Sequence, residues 1–235
     1  MENVQQANVQ ERALENMGLL DLTGVKAEDL ANVTSISNIG IIIAPESLSS
    51  ALNRIPQQNI GCVCLVPSTA GKVKILSGQV SLGGEFFANS NGAPEDIVVI
   101  AGQAVITSPV EKIGFQDVIL AGQLILPKGS EVVLGSAISR MLGQIIYYSN
   151  TSSNVRLFLG DDTFSNSFFE FVEEKMCMVL IGNFEMDNDV QLELIKSKVS
   201  EIVVIGDITA SKAIVPLLQY LAISKTGTIK TRDDE

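Results

Sequence analysis

The sequence predicts a mixed α/β repeat solenoid, a right-handed winding of about ten coils of 17–24 residues around one continuous apolar core. Three observations lead there. First, glycines recur at residues 40, 61, 78, 102, 122, 143, 160, 182, 206 and 227, each flanked by short apolar runs. Second, a shift of 82 residues places Gly40 on Gly122, Gly61 on Gly143 and Gly78 on Gly160 without a gap. The same shift pairs Pro45 with Pro127, Val73 with Val155 and Ile75 with Leu157, as in the tandem duplication of a four-coil block. Third, the chain is 46% hydrophobic, so apolar material for a core is ample.

A unit of some twenty residues cannot close a core alone, whereas stacked copies cover one another's inward side chains and pair their strands in parallel ladders. Glycine fits the corner of each coil, where the backbone adopts positive φ or passes close to the coil before it. The residue after the corner repeats as Gln79, Gln103, Gln123 and Gln144, which predicts an amide ladder with a structural role. Replacing Gly122 is therefore expected to destabilise the fold, on the reading that this corner needs positive φ.

Between the glycines, three- and four-residue apolar spacing predicts helices over 46–55, 164–174, 189–198 and 211–222. Residues 130–141 form a fifth candidate that Gly135 interrupts. The valine- and isoleucine-rich stretch 74–126 predicts coils that carry extra strand in place of helix. The chain reads as one domain. Residues 1–17 form an N-terminal cap, with a helix over 3–17, residues 18–224 form the coils, and residues 225–235 form a last coil end and charged tail that discourages end-to-end pairing.

The coil Val199-x-x-Ile202-x-Val204-x-Gly206-x-Ile208, matched by Phe115-x-x-Val118-x-Leu120-x-Gly122-x-Leu124, resembles a degenerate leucine-rich repeat. It departs from that repeat in having glycine two residues past the second strand position, where the usual repeat has asparagine three past, so no asparagine ladder is expected. The all-strand middle is similar to bactofilins, a resemblance that implies a bacterial cytoskeletal protein polymerising end to end.

Composition narrows the chemistry. There is no histidine, which removes Ser-His-Asp and Cys-His catalysis and the commonest metal ligand. A net charge of -11 opposes binding to phosphate backbones or anionic membranes. Three cysteines cannot build a secreted disulfide framework, the N-terminus reads as no signal peptide, and no apolar run reaches membrane-spanning length. A bacterial cytoplasmic location is expected. Cys62 and Cys64, two apart on a strand, face one side and read as core, as does Cys177. Asp187-Asn188-Asp189 lacks the glycine and distal glutamate of a calcium loop and reads as a helix N-cap through Asp189. Asp161 and Asp162 are the one carboxylate pair open to glycosidase or lyase work, and a turn after Gly160 also explains them. Tyr147 is expected inside and Tyr148 on the outer face, either under a helix over 130–141 or exposed as a binding anchor.

These readings imply no catalytic, cofactor or metal residues. The expected function is a non-catalytic structural or protein-interaction scaffold that binds a protein partner or its own copies. The alternatives are a bactofilin-like filament subunit and a β-coil enzyme acting on polysaccharide.

Overall fold

The computed structural model describes residues 12–149 and 154–232, of which 51% lie in strand and 18% are helical. Strand therefore dominates, and every pairing between the described strands is parallel. The first stack holds β1 (Arg12–Asp21), β2 (Val33–Pro45) and β3 (Gln57–Val66) in one sheet. A 3-10 turn at Ala27–Leu30, and another at Glu46–Leu48 leading into α1 (Ser49–Leu52), return the chain between them.

In the second stack each coil has two short strands meeting at a corner. These are β4 (Val73–Leu76) with β5 (Gln79–Leu82), β6 (Ile97–Ile100) with β7 (Gln103–Ile106), β8 (Asp117–Leu120) with β9 (Gln123–Pro127), and β10 (Ile138–Met141) with β11 (Gln144–Tyr148). The leading strands form one sheet in the order β4-β6-β8-β10, and the trailing strands form another in the order β5-β7-β9-β11. A 3-10 turn at Gly84–Ala88 and α2 (Glu131–Gly135) lie on the return paths. The third stack is a sheet of β12 (Val155–Phe164), β13 (Met176–Met186), β14 (Val199–Ala210) and β15 (Ala222–Thr231), with α3 (Asn166–Glu170), α4 (Leu192–Lys198) and α5 (Val215–Leu221) between them.

Glycine sets the stacking. A Cβ on Gly122 would fall on the carbonyl oxygen of Gly102, and 2.9 Å from both its carbonyl carbon and its amide nitrogen, closer than real side chains come. The same crowding joins Gly78, Gly102, Gly122 and Gly143, and likewise Gly18, Gly40 and Gly61, and Gly160, Gly182, Gly206 and Gly227. The expected equivalence of the corner glycines is present, but its cause at Gly122 is close backbone approach and not positive φ. Beside the second column runs the expected amide ladder. Gln79 Nε2 donates to Gln103 Oε1 (3.1 Å), Gln103 Nε2 to Gln123 Oε1 (2.9 Å) and Gln123 Nε2 to Gln144 Oε1 (3.5 Å). The first stack has an asparagine ladder that the sequence reading did not expect. Asn16, Asn38 and Asn59, all with positive φ, lie two residues before their glycines, and each later amide donates to the one before (3.0 and 2.9 Å).

The strand ladders do not run through the chain as one stack, as the single continuous core required. No ladder joins β3 to β4 or β11 to β12, and three separate cores fill the three stacks, centred on residues such as Ile39 and Ile42, Leu120 and Leu124, and Leu180 and Val204. Two further apolar layers lie between stacks. Leu19, Ile41, Ile43 and Cys64 of the first sheet meet Ile75, Ile97, Val99 and Ile119 on the outer face of the β4-β6-β8-β10 sheet. On the other side, Val105, Ile125, Ile146 and Tyr148 meet Cys177, Val179, Ile181 and Val203 of the third stack. The physical reason is legible in the burial. Ile97–Ile100 and Val118–Leu120 are buried at every position, so both faces of these strands carry apolar side chains and each needs a cover.

The 82-residue shift relates one stack to the next. It carries the start of the second stack, Val73, onto the start of the third, Val155, and the last coil of the first stack, at Gly61, onto the last coil of the second, at Gly143. Several local expectations change. From Arg12 onward the expected capping helix is strand β1, held in register on β2; its residues 3–11 lie outside the described residues. The candidate helix 130–141 splits into α2 and β10, because Ile138–Met141 pairs with β8. The other helices form at the expected places but are short. The strand-only stretch 74–126 is as expected, apart from its 3-10 turn. Of the expected charged tail, residues through Thr231 complete β15, and residues 233–235 lie outside the described residues.

Candidate functional site

Tyr147 and Tyr148 follow the strand alternation. Tyr147 packs against the core of the second stack, while Tyr148 points to the opposite face. That face is closed. Tyr148 is 1% exposed, and its hydroxyl donates to the carbonyl oxygen of Ile106 at 2.8 Å. Its cover is the sheet of the third stack, not the helix over 130–141, so Tyr148 is an internal pin and no surface anchor. Burial pushes its hydroxyl pKa well above the usual tyrosine value. A second pin lies beside it. The Glu201 carboxylate of β14 accepts hydrogen bonds from the Ser149 amide (2.6 Å) and hydroxyl (2.5 Å), tying the end of the second stack to the third. Between the first two stacks, Arg140 of β10 donates to the carbonyl oxygen of Leu65 (2.5 Å) and pairs with Glu46 (3.1 Å).

Asp161 and Asp207 have structural partners in the next coil. Asp161 Oδ1 accepts from the backbone N–H (3.2 Å) and side-chain amide (3.0 Å) of Asn183 one coil on. The pattern repeats where Asp207 Oδ1 accepts from the hydroxyl (2.7 Å) and amide (3.0 Å) of Thr228, and these bonds hold the Asp207 carboxyl below its usual pKa. Asp162 lies on the other face of the strand, aligned with the buried Phe184 and Ile208. The two carboxyls therefore alternate across β12 instead of converging. An open surface groove bordered by Asp161, Asp162, Asn183, Glu185 and Thr209 runs past them.

Asp189 does not cap α4, whose N-cap is Gln191. Its Oδ1 instead accepts the amide of Asn166, the first residue of α3 on the preceding coil (3.0 Å), while Asn166 Oδ1 accepts the amide of Gln191 (3.2 Å). The Asp187-Asn188-Asp189 segment thus stitches two coils together through exchanged caps. Asn188 also receives a hydrogen bond from Arg232, whose guanidinium pairs with Glu185 at 2.6 Å.

Cys62 and Cys64 align with Ile41 and Ile43 on one side of the sheet, as expected, but Cys64 lies in the layer between the first two stacks and not in the core of a coil, while Cys62 is half-buried. All three described thiols are free. Desolvation raises the Cys64 pKa to about 11 and that of Cys177 to about 12, so neither offers a thiolate near neutral pH. Asp96 was not singled out by sequence. It is 2% exposed and accepts from the amides of Lys72 (2.9 Å) and Ala93 (3.1 Å), which hold its carboxyl below the usual range and fold the long return loop of the second stack. Its signal was available: an aspartate directly before the apolar run Ile97–Ile100, in a segment with no helix to cap.

Among the described residues no group of three or more Cys, Asp and Glu side chains is placed to hold a metal ion, and no helix is long and apolar enough to cross a membrane. The polar groups described above act between coils and between stacks. In comparisons with known proteins, no family model, curated protein or solved structure matches the chain.

Proposed function

We propose that this protein is a non-catalytic scaffold, a repeat solenoid folded into three stacks, which binds another protein or its own copies through its outer surface in the cytoplasm. One observation carries this reading. The chemistry-bearing groups singled out by sequence are held in architectural roles: Asp161 between coils, Asp189 as a cap on a neighbouring coil, and Cys64, Cys177 and Tyr148 between stacks. Strands packed on both faces by neighbouring sheets make a stiff body, and a stiff extended surface is what repeat proteins offer to partners.

A filament subunit is the second reading, favoured by β1 and β15, strands that among the described residues pair on one side only. Isolation of the tagged protein from its own cells, with hydrogen exchange on the complex, tests the scaffold reading. The expected result is a stoichiometric protein partner that is retained by an Asp161→Asn, Asp162→Asn variant. Release of reducing ends from an acidic polysaccharide, abolished by the same substitutions, would overturn it in favour of the enzyme. Electron microscopy at raised concentration separates particle from filament.

A further inference from the structure

The ends of the third stack carry charge in positions that belong to its core. Four columns of inward side chains run through this stack along the strand register. One reads Arg156, Met178, Ile202, Ala222, and a second reads Phe158, Leu180, Val204, Lys225. A third reads Asp162, Phe184, Ile208, Ile229, and the fourth is Phe164, Met186, Ala210, Thr231. The interior members Met178, Leu180, Phe184, Ile202, Val204 and Ile208 are at most 3% exposed and form one apolar cluster. Arg156 and Asp162 at the first coil, and Lys225 at the last, are exposed. The chain thus places a charge in two of the four columns where the stack begins and in one where it ends. Among the described residues, the strands at both ends, β12 and β15, have no strand paired on their outer side.

We propose that Arg156, Asp162 and Lys225 are stops that prevent a second copy of this chain from continuing the third stack. A bare parallel edge with glycines in register is a template for another coil, and an inward charge is a means of closing such an edge. If a second copy stacked head to tail with Gly227 against Gly160, Lys225 would be enclosed against Phe158, Asp162 against Ile229, and Arg156 against Ala222. Each charge meets an apolar partner and no ion pair forms, because the acidic and basic residues stand in different columns. Burying a charge without a partner opposes association far more strongly than the strand pairing favours it. Lys74 repeats the device at the first coil of the second stack, in the column of Val98 and Val118, where its ammonium is bonded to Asn89 Oδ1 at 2.6 Å and lies over the Phe115 ring.

The stops are tested by giving each end the residue that the chain itself uses one coil inward: Arg156→Met, Asp162→Phe and Lys225→Val together. Sedimentation velocity over a rising concentration series, with circular dichroism to establish folding, is the measurement. The triple variant is expected to form larger particles whose mass grows with concentration, beyond any association of the unaltered protein. A control that keeps the charges, Asp162→Glu with Lys225→Arg, is expected to sediment as the unaltered protein does. If the triple variant does not fold, Lys225→Val alone carries the same expectation at the open β15 end. The inference is overturned if the folded charge-free variant associates no more than the unaltered protein, or if the charge-keeping control assembles as well. The scaffold reading fails separately, through the partner and polysaccharide experiments, so the two results are distinguishable.

Discussion

Replacing Gly122 with alanine should be among the most damaging single-methyl additions in the chain, and its cost follows from the geometry. The new Cβ would overlap the Gly102 carbonyl, with backbone atoms and not a flexible side chain as the obstacle. To make room, the two coils must part by roughly 1 Å, which takes the flanking backbone bonds beyond hydrogen-bonding distance. Those bonds are Ala121 N–H to Ile100 O and Gln123 N–H to Gly102 O, both 2.8 Å. At about 1 kcal/mol each, with a further ~1 kcal/mol for loosened packing at the fully buried Leu120 and Leu124, the loss is about 3 kcal/mol. For a chain of this size that corresponds to a fall in Tm of roughly 6–12 °C. The natural control is Gly18→Ala, where nothing lies within 4 Å of the added methyl and φ is ordinary. That change should be neutral or stabilise by about 0.5 kcal/mol through the unfolded chain. Thermal unfolding followed by circular dichroism measures both. A Gly122→Ala variant as stable as the Gly18→Ala variant would refute the argument that close approach of the coils selects glycine.

Three further outcomes are expected. Tyr148→Phe should lose about 1 kcal/mol by removing the bond to Ile106 O, and Tyr148→Ala about 3–5 kcal/mol, with a large fall in Tm; an unchanged Tm would return Tyr148 to the surface. Because folding raises the Cys64 and Cys177 pKa values from 9.0 to about 11 and about 12, the native state binds protons that the unfolded state has released. Stability should be intact below pH 9.0 and fall as pH rises from there towards 11–12; a Cys64→Ala, Cys177→Ala variant with the same alkaline slope would contradict this assignment. Breaking the exposed Arg140–Glu46 pair with Glu46→Gln should cost at most about 1 kcal/mol and less at high salt, a dependence read by denaturant titration at two ionic strengths.

Much of the coil was legible in the sequence. The Gly-Gln dipeptides located the second stack's corners and amide ladder, and the alternation through Ile145–Tyr148 gave the correct inward and outward sides. What went unread in the repeat was where stacking stops: Gly61 to Gly78 and Gly143 to Gly160 are steps of 17 residues against 20–24 elsewhere, and these are the two steps that no ladder crosses. The clue lay in strands such as Ile97-Val98-Val99-Ile100, apolar at successive positions. One solenoid core uses only half of those side chains, and the other half requires a second sheet outside. The same oversight left Tyr148 either under a helix or exposed, where a neighbouring sheet covers it. The turn expected to explain Asp161 and Asp162 after Gly160 is instead part of strand β12, and only the register with Phe184 shows that Asp162 occupies a core column. The asparagine ladder was missed because the leucine-rich-repeat comparison looks for asparagine after the strand leucine, and here it precedes the glycine.

The most direct test of the three-stack arrangement is a double-mutant cycle on Ser149 and Glu201. In one unbroken stack these residues would be three coils apart, about 14 Å at the usual strand spacing, whereas face-to-face packing brings the Ser149 hydroxyl to 2.5 Å and its amide to 2.6 Å from the Glu201 carboxylate. Ser149→Ala, Glu201→Ala and the double variant should be compared by urea unfolding. Face-to-face packing gives a coupling energy of about 1 kcal/mol or more, because a hydrogen bond to a charged acceptor is lost once and not twice. Additivity within about 0.3 kcal/mol would contradict it and restore the single continuous stack.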